Sequence, residues 1–182
     1  MFVTYGETTF ARAAGSDDLE HLGCFLGGML MMGRQYTEEG LAMAETCAKM
    51  YTTNPSGIAC DKVRIQRDGG IQCVNDIYLL RPEVVESIFY AWRFTHDQKW
   101  RDYAEQIWKA IAKHCEVATG GFTDVRHVTQ PVPEKLDKQE SWFLAETMKY
   151  LWLIFQPDEV LPLDKYVLNT ECHPLNIWKD SI

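Results

Sequence analysis

The chain has 182 residues, of which 46% are hydrophobic and 12% aromatic, and its formal net charge is −8. This length and composition are typical of one packed globular domain and exclude a disordered chain. The negative charge argues against nucleic acid or an anionic membrane surface as the main partner, and no apolar run reaches the length of a transmembrane segment.

The first predicted element is a long apolar helix. Ser16-Asp17-Asp18 places acidic residues where a helix N-terminus favours them, so we expect a helix from about Leu19 to Arg34. Apolar residues occur nearly all round this helix, which predicts that it is buried on most sides. Glycines lower its helix propensity, and they therefore predict the close approach of a neighbouring element at Gly27, Gly28 and Gly33.

A second helix is predicted from Thr37 to about Tyr51. The short turn before it indicates that the two helices form an antiparallel hairpin. Asn54-Pro55-Ser56-Gly57 ends this helix. Residues 62–80 carry β-branched side chains on both sides of Asp68-Gly69-Gly70, which predicts a β-hairpin.

The segment Tyr78–Ser87 predicts a strand end followed by a helix. Pro82 suits the first helical position because its missing N–H would be unpaired there anyway, and helical spacing of apolar residues continues to about Phe94. Glu83 and Glu86 are three residues apart and therefore share one face of the first turn. Taken alone, such a pair most often only complements the helix dipole.

The rest of the chain predicts two more helices and an irregular end. Asp97 indicates the start of a helix that ends at Gly120-Gly121, and residues 123–136 are expected to form a loop. Asp137-Lys138-Gln139-Glu140 has the form of a capping box and predicts a helix start. The region around residues 165–168 is predicted to be irregular. The fold class is therefore mainly all-α, with helical hairpins joined by loops and one β-hairpin.

Four segments resemble, in this order, the class I α-1,2-mannosidases of glycoside hydrolase family 47: His21–Phe25, Tyr78–Ser87, Lys138–Leu151 and Val167–Leu175. The similarity extends from about Leu19 to Leu175. It implies an α/α toroid, a barrel of seven helical hairpins in which a β-hairpin closes one end and has its tip near a calcium ion. Because this chain accounts for about three such hairpins, we expect residues 1–182 to be the C-terminal part of that catalytic domain.

The resemblance implies a glycosidase that removes terminal α-1,2-linked mannose from high-mannose N-glycans with inversion. Inversion requires a carboxylic acid that protonates the leaving oxygen and a carboxylate that activates water. By resemblance Glu83 is the general base, and Arg81 beside it favours the ionised form. The resemblance assigns substrate binding to a set of seven residues, namely His21, Arg81, Glu86, Trp142, Phe143, Glu146 and Glu171.

Two of these assignments leave alternatives open. Either Trp142 or Phe143 is expected to supply the aromatic contact under the sugar ring. Trp142 matches the family position more closely, although the family more often has phenylalanine there. His21 lies on an apolar helix, where a core histidine is common, but the resemblance implies that it lines the sugar pocket.

The resemblance also implies Ca²⁺ as cofactor. Thr170 matches the residue that contacts calcium directly, through its hydroxyl and carbonyl oxygens, and calcium accepts such oxygens in shells of about six to eight. Glu86, Glu146 and Glu171 would hold waters around the ion. Without the other motifs, Asn169-Thr170-Glu171 would be interpreted as an ordinary turn.

The chain has six cysteines, and no pair has the C-x-x-C spacing of a zinc or redox site. By resemblance Cys24 and Cys47 form a disulfide, which implies an oxidising compartment and hence the secretory pathway. Met1 to Arg12 lacks the basic-then-apolar pattern of a signal peptide, which disagrees with that location. The pairing of the others stays open: Cys60, Cys73, Cys115 and Cys172. Cys172 also departs from the small residue common in the family.

The main departure from the family lies upstream of His21. The family's general-acid glutamate and a second catalytic aspartate precede that motif, and Asp17, Asp18 and Glu20 do not match their context. We therefore expect a fragment or a truncated product that is inactive alone. Two alternatives stay open: a non-catalytic, calcium-dependent module that binds mannose glycans, and a helical interaction domain. The sequence does not indicate the oligomeric state or which mannose is removed first.

Overall fold

The computed structural model describes residues 1–12 and 15–178. The helices are α1 (Phe25–Met32), α2 (Thr37–Thr52), α3 (Glu83–Thr95), α4 (Lys99–Cys115) and α5 (Met148–Ile154). The strands are β1 (Phe2–Tyr5), β2 (Thr8–Ala11), β3 (Asp18–Glu20), β4 (Lys62–Ile65), β5 (Ile71–Asn75), β6 (Ile77–Tyr78), β7 (Val125–Arg126), β8 (Glu134–Lys135), β9 (Tyr166–Leu168) and β10 (Pro174–Asn176). A 3-10 turn at His21–Cys24 precedes α1, and a π-helical segment at Phe143–Thr147 leads into α5.

The helices pack mainly against their neighbours in sequence. α1 packs against α2 and α3 against α4, while α3 also contacts α1, α2 and α5. α3 is therefore central to the helical layer, and its side chains from Val84 to Trp92 are almost all buried. This sequential pairing supports the predicted α/α arrangement. The support is partial, because the described residues also form several short sheets.

Two glycines of α1 allow it to lie directly against α3. A Cβ on Gly28 would be 2.6 Å from the ring of Tyr90, and a Cβ on Gly27 would be 2.9 Å from the Ser87 hydroxyl. That hydroxyl accepts a hydrogen bond from the Gly28 N–H at 2.8 Å. The predicted close approach is therefore confirmed at these two glycines. It is wrong at Gly33, where a Cβ would meet nothing closer than 3.5 Å.

The predicted helix start at residues 16–18 is wrong. Asp18–Glu20 forms strand β3, antiparallel to β4, because Asp18 accepts hydrogen bonds from Arg64 across the pair. The α-helix begins only at Phe25. It is also not buried on most sides, since Met29 is 45% exposed.

The β content is larger than the sequence predicts. The hairpin around Asp68-Gly69-Gly70 is confirmed as β4–β5, but a hairpin formed by β1 and β2 was not predicted. The predicted loop at residues 123–136 contains β7 and β8, which join β6 in a second sheet. The end predicted to be irregular forms the hairpin β9–β10, with residues 169–173 at its tip.

The predicted capping box at Asp137 is also wrong. Residues 137–140 are not helical, and the helical segment begins at Ser141. The Glu140 carboxylate instead pairs with the Lys138 ammonium, 2.5 Å away. Glu140 is thus the residue directly before the helix and does not occupy its third position.

Two disulfides cross-link the structure. Cys24–Cys47 joins the turn before α1 to α2, and Cys60–Cys73 joins the start of β4 to β5. Cys115 and Cys172 are buried free thiols. Among the helices of the described residues, none combines the length and the apolar character needed to cross a bilayer.

Candidate active site

A strained turn before α3 positions the first site residues. Leu80 is buried and has a positive φ of 54°, a conformation that is costly for a residue with a branched side chain. Two side chains from the helical segment after Ser141 hold this turn. The Trp142 indole N–H donates to the Leu79 carbonyl at 2.9 Å, and the Thr147 hydroxyl donates to the Leu80 carbonyl at 2.7 Å. The direction of the chain into Arg81 is therefore fixed by distant residues.

Arg81 is half-buried and has three neighbours. Its Nε donates to Asp61 Oδ1 at 2.7 Å, and its Nη1 is 3.9 Å from Glu83 Oε1. The guanidinium also lies 5.9 Å from the centre of the Trp142 ring. Asp61 was not predicted, yet it orients the guanidinium, because an Arg–carboxylate hydrogen bond is both strong and directional.

His21 and Glu83 form a buried hydrogen-bonded pair. His21 Nδ1 is 3.0 Å from Glu83 Oε2, and His21 Nε2 is 3.0 Å from the Tyr51 hydroxyl. The Tyr51 hydroxyl is in turn 3.3 Å from that of Tyr78. His21 is 0% exposed and both of its ring nitrogens face protein groups, while its expected place at the sugar pocket stays a prediction.

The environment of Glu83 keeps its carboxylate ionised. Burial raises the pKa of this carboxyl, but the hydrogen bond from His21, followed by the charge of Arg81, outweighs burial and lowers the pKa below its usual value. Glu83 is also the first residue of α3, where the helix dipole favours a negative charge. A buried carboxylate that stays ionised can accept a proton from water.

Glu86 and Glu146 show the opposite behaviour. Burial, with the nearby charges of Glu83 and Glu146, raises the pKa of Glu86 to about 8. Burial, with the charges of Glu171 and Glu83, raises the pKa of Glu146 to about 7. Glu86 on α3, Glu146 on the π-helical segment and Glu171 on the hairpin tip therefore form one acidic cluster, in which the charge of Lys149 only partly offsets the repulsion at Glu146.

The tip of the β9–β10 hairpin carries Thr170 and Glu171, both exposed. Asn169 shapes this tip, because its Oδ1 accepts the backbone N–H groups of Glu171 at 3.0 Å and His173 at 2.8 Å. The Lys149 ammonium donates to the Cys172 carbonyl at 2.9 Å and ties the tip to α5. The backbone at the tip is thus held in place from both sides.

The donor set suits a hard cation bound mostly through water. Within residues 1–12 and 15–178, no group of three His, Cys, Asp or Glu side chains is arranged to hold a metal ion directly. The oxygens of Thr170 and the acidic cluster are nevertheless all hard donors, the type that calcium prefers. A divalent cation near the tip would also relieve the repulsion that raises the pKa of Glu86 and Glu146.

The two aromatic candidates differ in what they contact. Phe143 is 0% exposed and its ring centre is 4.8 Å from that of Phe122, so it belongs to the core. Trp142 is half-buried and lies beside Arg81. The structure therefore leaves Trp142 as the aromatic candidate and removes Phe143, which has no free face.

Asp124 is a buried acidic residue near the site that the sequence did not indicate. It is 1% exposed, and its Oδ1 has no hydrogen-bond partner among the residues that the structure describes. Burial and the charge of Glu140 raise the pKa of Asp124 to about 6, against the opposing charges of Lys138 and Arg81. No spacing or motif marks this residue. Tyr51 was also missed, although it lies four residues after Cys47 and hence on the same face of α2.

The chain is similar in sequence to known glycosyl hydrolases. A profile of glycosyl hydrolase family 47 matches residues 2–177. The mannosyl-oligosaccharide alpha-1,2-mannosidase IA of Drosophila melanogaster is 41% identical over 171 residues, which cover 87% of this chain and 26% of that protein. The endoplasmic reticulum mannosyl-oligosaccharide 1,2-alpha-mannosidase of Homo sapiens is 38% identical over 183 residues, which cover 92% of this chain and 26% of that protein.

The fold of the chain is also similar to that of a solved structure. The alpha-1,2-mannosidase from Trichoderma reesei superposes with a TM-score of 0.87 at 28% sequence identity, covering 94% of this chain and 42% of that chain. The curated relatives reported above are about four times as long as the match, since the chain spans 26% of each. The helices described here are therefore arranged like part of a longer domain.

Proposed function

Since the chain belongs to glycosyl hydrolase family 47, we propose that it forms part of a glycosidase that hydrolyses terminal α-1,2-linked mannose from high-mannose N-glycans. We propose that the reaction inverts the anomeric centre and depends on calcium. The relatives named above are mannosyl-oligosaccharide 1,2-alpha-mannosidases, which supports this substrate class. Residues 1–182 would be the C-terminal part of the catalytic domain.

The observation that carries the proposal is the ionised, buried carboxylate of Glu83. Inverting hydrolysis needs a base that removes a proton from the attacking water. Glu83 suits this role because His21 and Arg81 lower its pKa although it is buried. Its Oε2 is engaged by His21 at 3.0 Å, while Oε1 is 3.9 Å from Arg81. Oε1 is thus the oxygen that would take the proton from water.

The groups around Glu83 would bind the sugar. Arg81, oriented by Asp61 at 2.7 Å, offers N–H donors to mannose hydroxyls. Trp142 would supply the apolar face under the ring, since the indole is fixed through its N–H to the Leu79 carbonyl. Glu86 would accept hydroxyl donors from the same face of α3.

Calcium would lie between Thr170 and the acidic cluster of Glu86, Glu146 and Glu171. Thr170 would contact the ion through its hydroxyl and carbonyl oxygens, and the three carboxylates would hold its waters. When bound, the ion would orient and polarise sugar hydroxyls. Its charge would also lower the pKa of Glu86 and Glu146, so that both accept hydrogen bonds as carboxylates.

We expect the general acid to be a residue that lies outside the four motifs described above. Among the carboxyls upstream of His21, those of Asp17, Asp18 and Glu20 do not match the context of the family's acid, and Asp18 is paired with Arg64. We therefore expect little or no hydrolysis by the isolated chain. A carboxyl pair for inversion must also leave room for water, at a separation of about 6.5–9.5 Å.

A second candidate function is calcium-dependent binding of mannose glycans without cleavage. It is favoured by the presence of the sugar-holding groups together with the lack of a matching acid. Both functions fit the secretory pathway, because two disulfides require an oxidising compartment. One of the similar proteins is named as an endoplasmic reticulum enzyme.

The test is release of mannose from an α-1,2-linked mannose oligosaccharide by the purified chain, with calcium and with a chelator. We expect no release by the chain alone, and calcium-dependent release when the upstream part of a family catalytic domain is added. Glu83→Gln should abolish the restored activity, while Glu134→Gln, on an exposed strand, should not. Calcium-dependent release by the chain alone would contradict the fragment proposal, because it would need an acid within these residues.

The same samples distinguish the second function. Calcium-dependent binding of the oligosaccharide, with no release under any condition, would favour the binding module. Thr170→Val should weaken that binding, because it removes one of the two oxygens offered to the ion. If neither binding nor release depends on calcium, the proposed metal site is wrong.

A further inference from the structure

A buried chain of hydrogen-bonding groups leads from Glu83 away from the site. Glu83 Oε2 is 3.0 Å from His21 Nδ1, and His21 Nε2 is 3.0 Å from the Tyr51 hydroxyl. The Tyr51 hydroxyl is 3.3 Å from the Tyr78 hydroxyl. His21 is fully buried, and Tyr51 and Tyr78 are each 1% exposed. Water therefore does not compete for these contacts.

The direction of the protons along this chain follows from the chemistry of its members. An ionised carboxylate only accepts hydrogen bonds, so His21 Nδ1 must carry a hydrogen toward Glu83. In the neutral imidazole the other nitrogen is then an acceptor. Tyr51 must donate to that nitrogen, 3.0 Å away, so its single hydrogen is not available for the longer 3.3 Å contact with the Tyr78 hydroxyl.

We propose that Tyr51 is a positioning residue for the base: its hydroxyl donates to His21 Nε2 and thereby holds the His21 ring in the orientation in which Nδ1–H donates to Glu83. The proposal rests on the proposed role of Glu83. It assigns a role to a residue that no motif marks. It also gives His21 a role in holding the base, in place of direct contact with the sugar.

The packing around Tyr51 supports this role. The Tyr51 ring lies edge-on to both the His21 ring, with centres 5.8 Å apart, and the Tyr78 ring, with centres 5.9 Å apart. The Cys24–Cys47 disulfide fixes α2 next to the turn that carries His21. Burial raises the pKa of Tyr51 far above its usual value, so its hydroxyl stays a donor at any physiological pH.

Glu83 has other charged neighbours that do not depend on Tyr51. Arg81 is 3.9 Å away and lowers the pKa of Glu83. Glu86 and Glu146 also lie close enough for the charge of Glu83 to raise their pKa values. If removal of the Tyr51 hydroxyl alone changes the pKa of Glu83, the change therefore acts through His21.

The experiment is ¹⁵N NMR of the imidazole nitrogens of His21 in this chain at neutral pH. The chemical shifts distinguish Nδ1–H, Nε2–H and the doubly protonated ring. We expect Nδ1–H alone in the wild type. The Nε2–H form and the doubly protonated ring both carry a hydrogen on Nε2. Either of them would overturn the proposal, because Tyr51 would then have to be the acceptor.

Two phenylalanine variants sharpen the test. Tyr51→Phe should remove the donor to Nε2, so the ¹⁵N shift of that nitrogen should change and the pKa of Glu83, followed by ¹³C NMR of its carboxyl, should rise. Tyr78→Phe is the matched control, because it removes a buried hydroxyl that is not hydrogen-bonded to His21, and it should change neither signal. An unchanged Nε2 shift and an unchanged Glu83 titration in folded Tyr51→Phe would overturn the proposal. If that variant does not fold, the wild-type tautomer still decides.

These measurements need no turnover, so they separate this proposal from the proposed function. Nδ1–H with no mannose release on addition of the upstream part would leave Tyr51 as the positioning residue of a carboxylate that is not a base. Mannose release that depends on Glu83, together with Nε2–H, would keep the function and overturn the role of Tyr51.

Discussion

The first turn of α3 carries two glutamates, Glu83 and Glu86, whose neighbours shift their pKa values in opposite directions. Glu83 faces His21 and Arg81, which lower its pKa despite burial. Glu86 faces the carboxylates of Glu83 and Glu146, and its pKa rises to about 8. At neutral pH Glu83 is therefore ionised, whereas Glu86, three positions later on the same helix, is largely protonated.

The difference teaches that partners, and not burial, decide the charge state here. Burial raises the pKa of both carboxyls, but only Glu83 has both a hydrogen bond from His21 and the nearby charge of Arg81. After the roles proposed above, we call His21, Tyr51, Arg81 and Glu83 the base side, and Glu86, Glu146, Thr170 and Glu171 the calcium side. On the calcium side the charge of Lys149 lowers the pKa of Glu146 but does not outweigh burial and the neighbouring carboxylates.

The largest expected effect comes from the disulfide that supports the base side. Replacing Cys24 and Cys47 by alanine should lower the free energy of unfolding by about 3–4 kcal/mol, because it frees a loop with a sequence separation of 23 residues in the unfolded chain. Chemical denaturation measures this loss. The control is replacement of Cys60 and Cys73, whose shorter separation of 13 residues predicts a smaller loss. An equal or larger loss in the control would contradict the loop argument.

The second prediction concerns pH and the calcium side. A carboxyl whose pKa is raised on folding stabilises the fold below its unfolded pKa of 4.5 and loses that contribution as pH rises through about 8 for Glu86. Without calcium, the free energy of unfolding should fall by roughly 2–3 kcal/mol between pH 5 and pH 9. Glu86→Gln should remove much of this fall, and added calcium should oppose it. A fall of the same size in Glu86→Gln would show that another group causes it.

The third prediction concerns the base side, where the sign is reversed. Glu83 has a lowered pKa, so its contribution is present above the unfolded value and is lost as pH falls through the folded one. Glu83→Gln should therefore destabilise the chain at pH 7 by about 1–2 kcal/mol, since it removes a charged hydrogen bond to His21. Glu134→Gln, whose partner Arg126 is exposed, should cost much less, because solvent screens an exposed ion pair. Equal losses in thermal melting would contradict the assignment of a special role to His21.

The smallest effect is expected at the strained turn that joins the two sides. Trp142→Phe keeps the aromatic ring but removes the indole donor to the Leu79 carbonyl, 2.9 Å away. We expect a loss of about 0.5–1.5 kcal/mol by urea denaturation. Trp152→Phe, at an exposed side chain of α5, is the control and should be near neutral. A neutral Trp142→Phe would mean that the hydrogen bond does not support the turn.

Local signals in the sequence predict part of this picture. Pro82 and the helical spacing after it predict α3, so the shared face of Glu83 and Glu86 could be derived without a structure. The resemblance named the Cys24–Cys47 pair, which the structure contains. The β4–β5 hairpin was also evident, because Asp68-Gly69-Gly70 is a local turn signal.

What the sequence did not predict depends on distant partners. Strand β3 pairs with β4, in which Arg64 lies opposite Asp18 although it is 46 residues away in the chain. Asp61 and Asp124 come near Arg81 only when separate loops fold together, and no spacing marks either of them. The apolar residues around His21 indicated its burial, but its partners Tyr51 and Glu83 could not be derived from that segment alone.

The central claim is that one turn of α3 holds an ionised and a neutral carboxyl. Site-resolved ¹³C NMR titration of Glu83 and Glu86 in the calcium-free chain tests it most directly, with Glu83→Gln and Glu86→Gln used to assign the signals. We predict that Glu83 titrates below the usual glutamate value of 4.5 and Glu86 near 8. If both carboxyls titrate together near 4.5, or in the reverse order, the division into a base side and a calcium side is wrong.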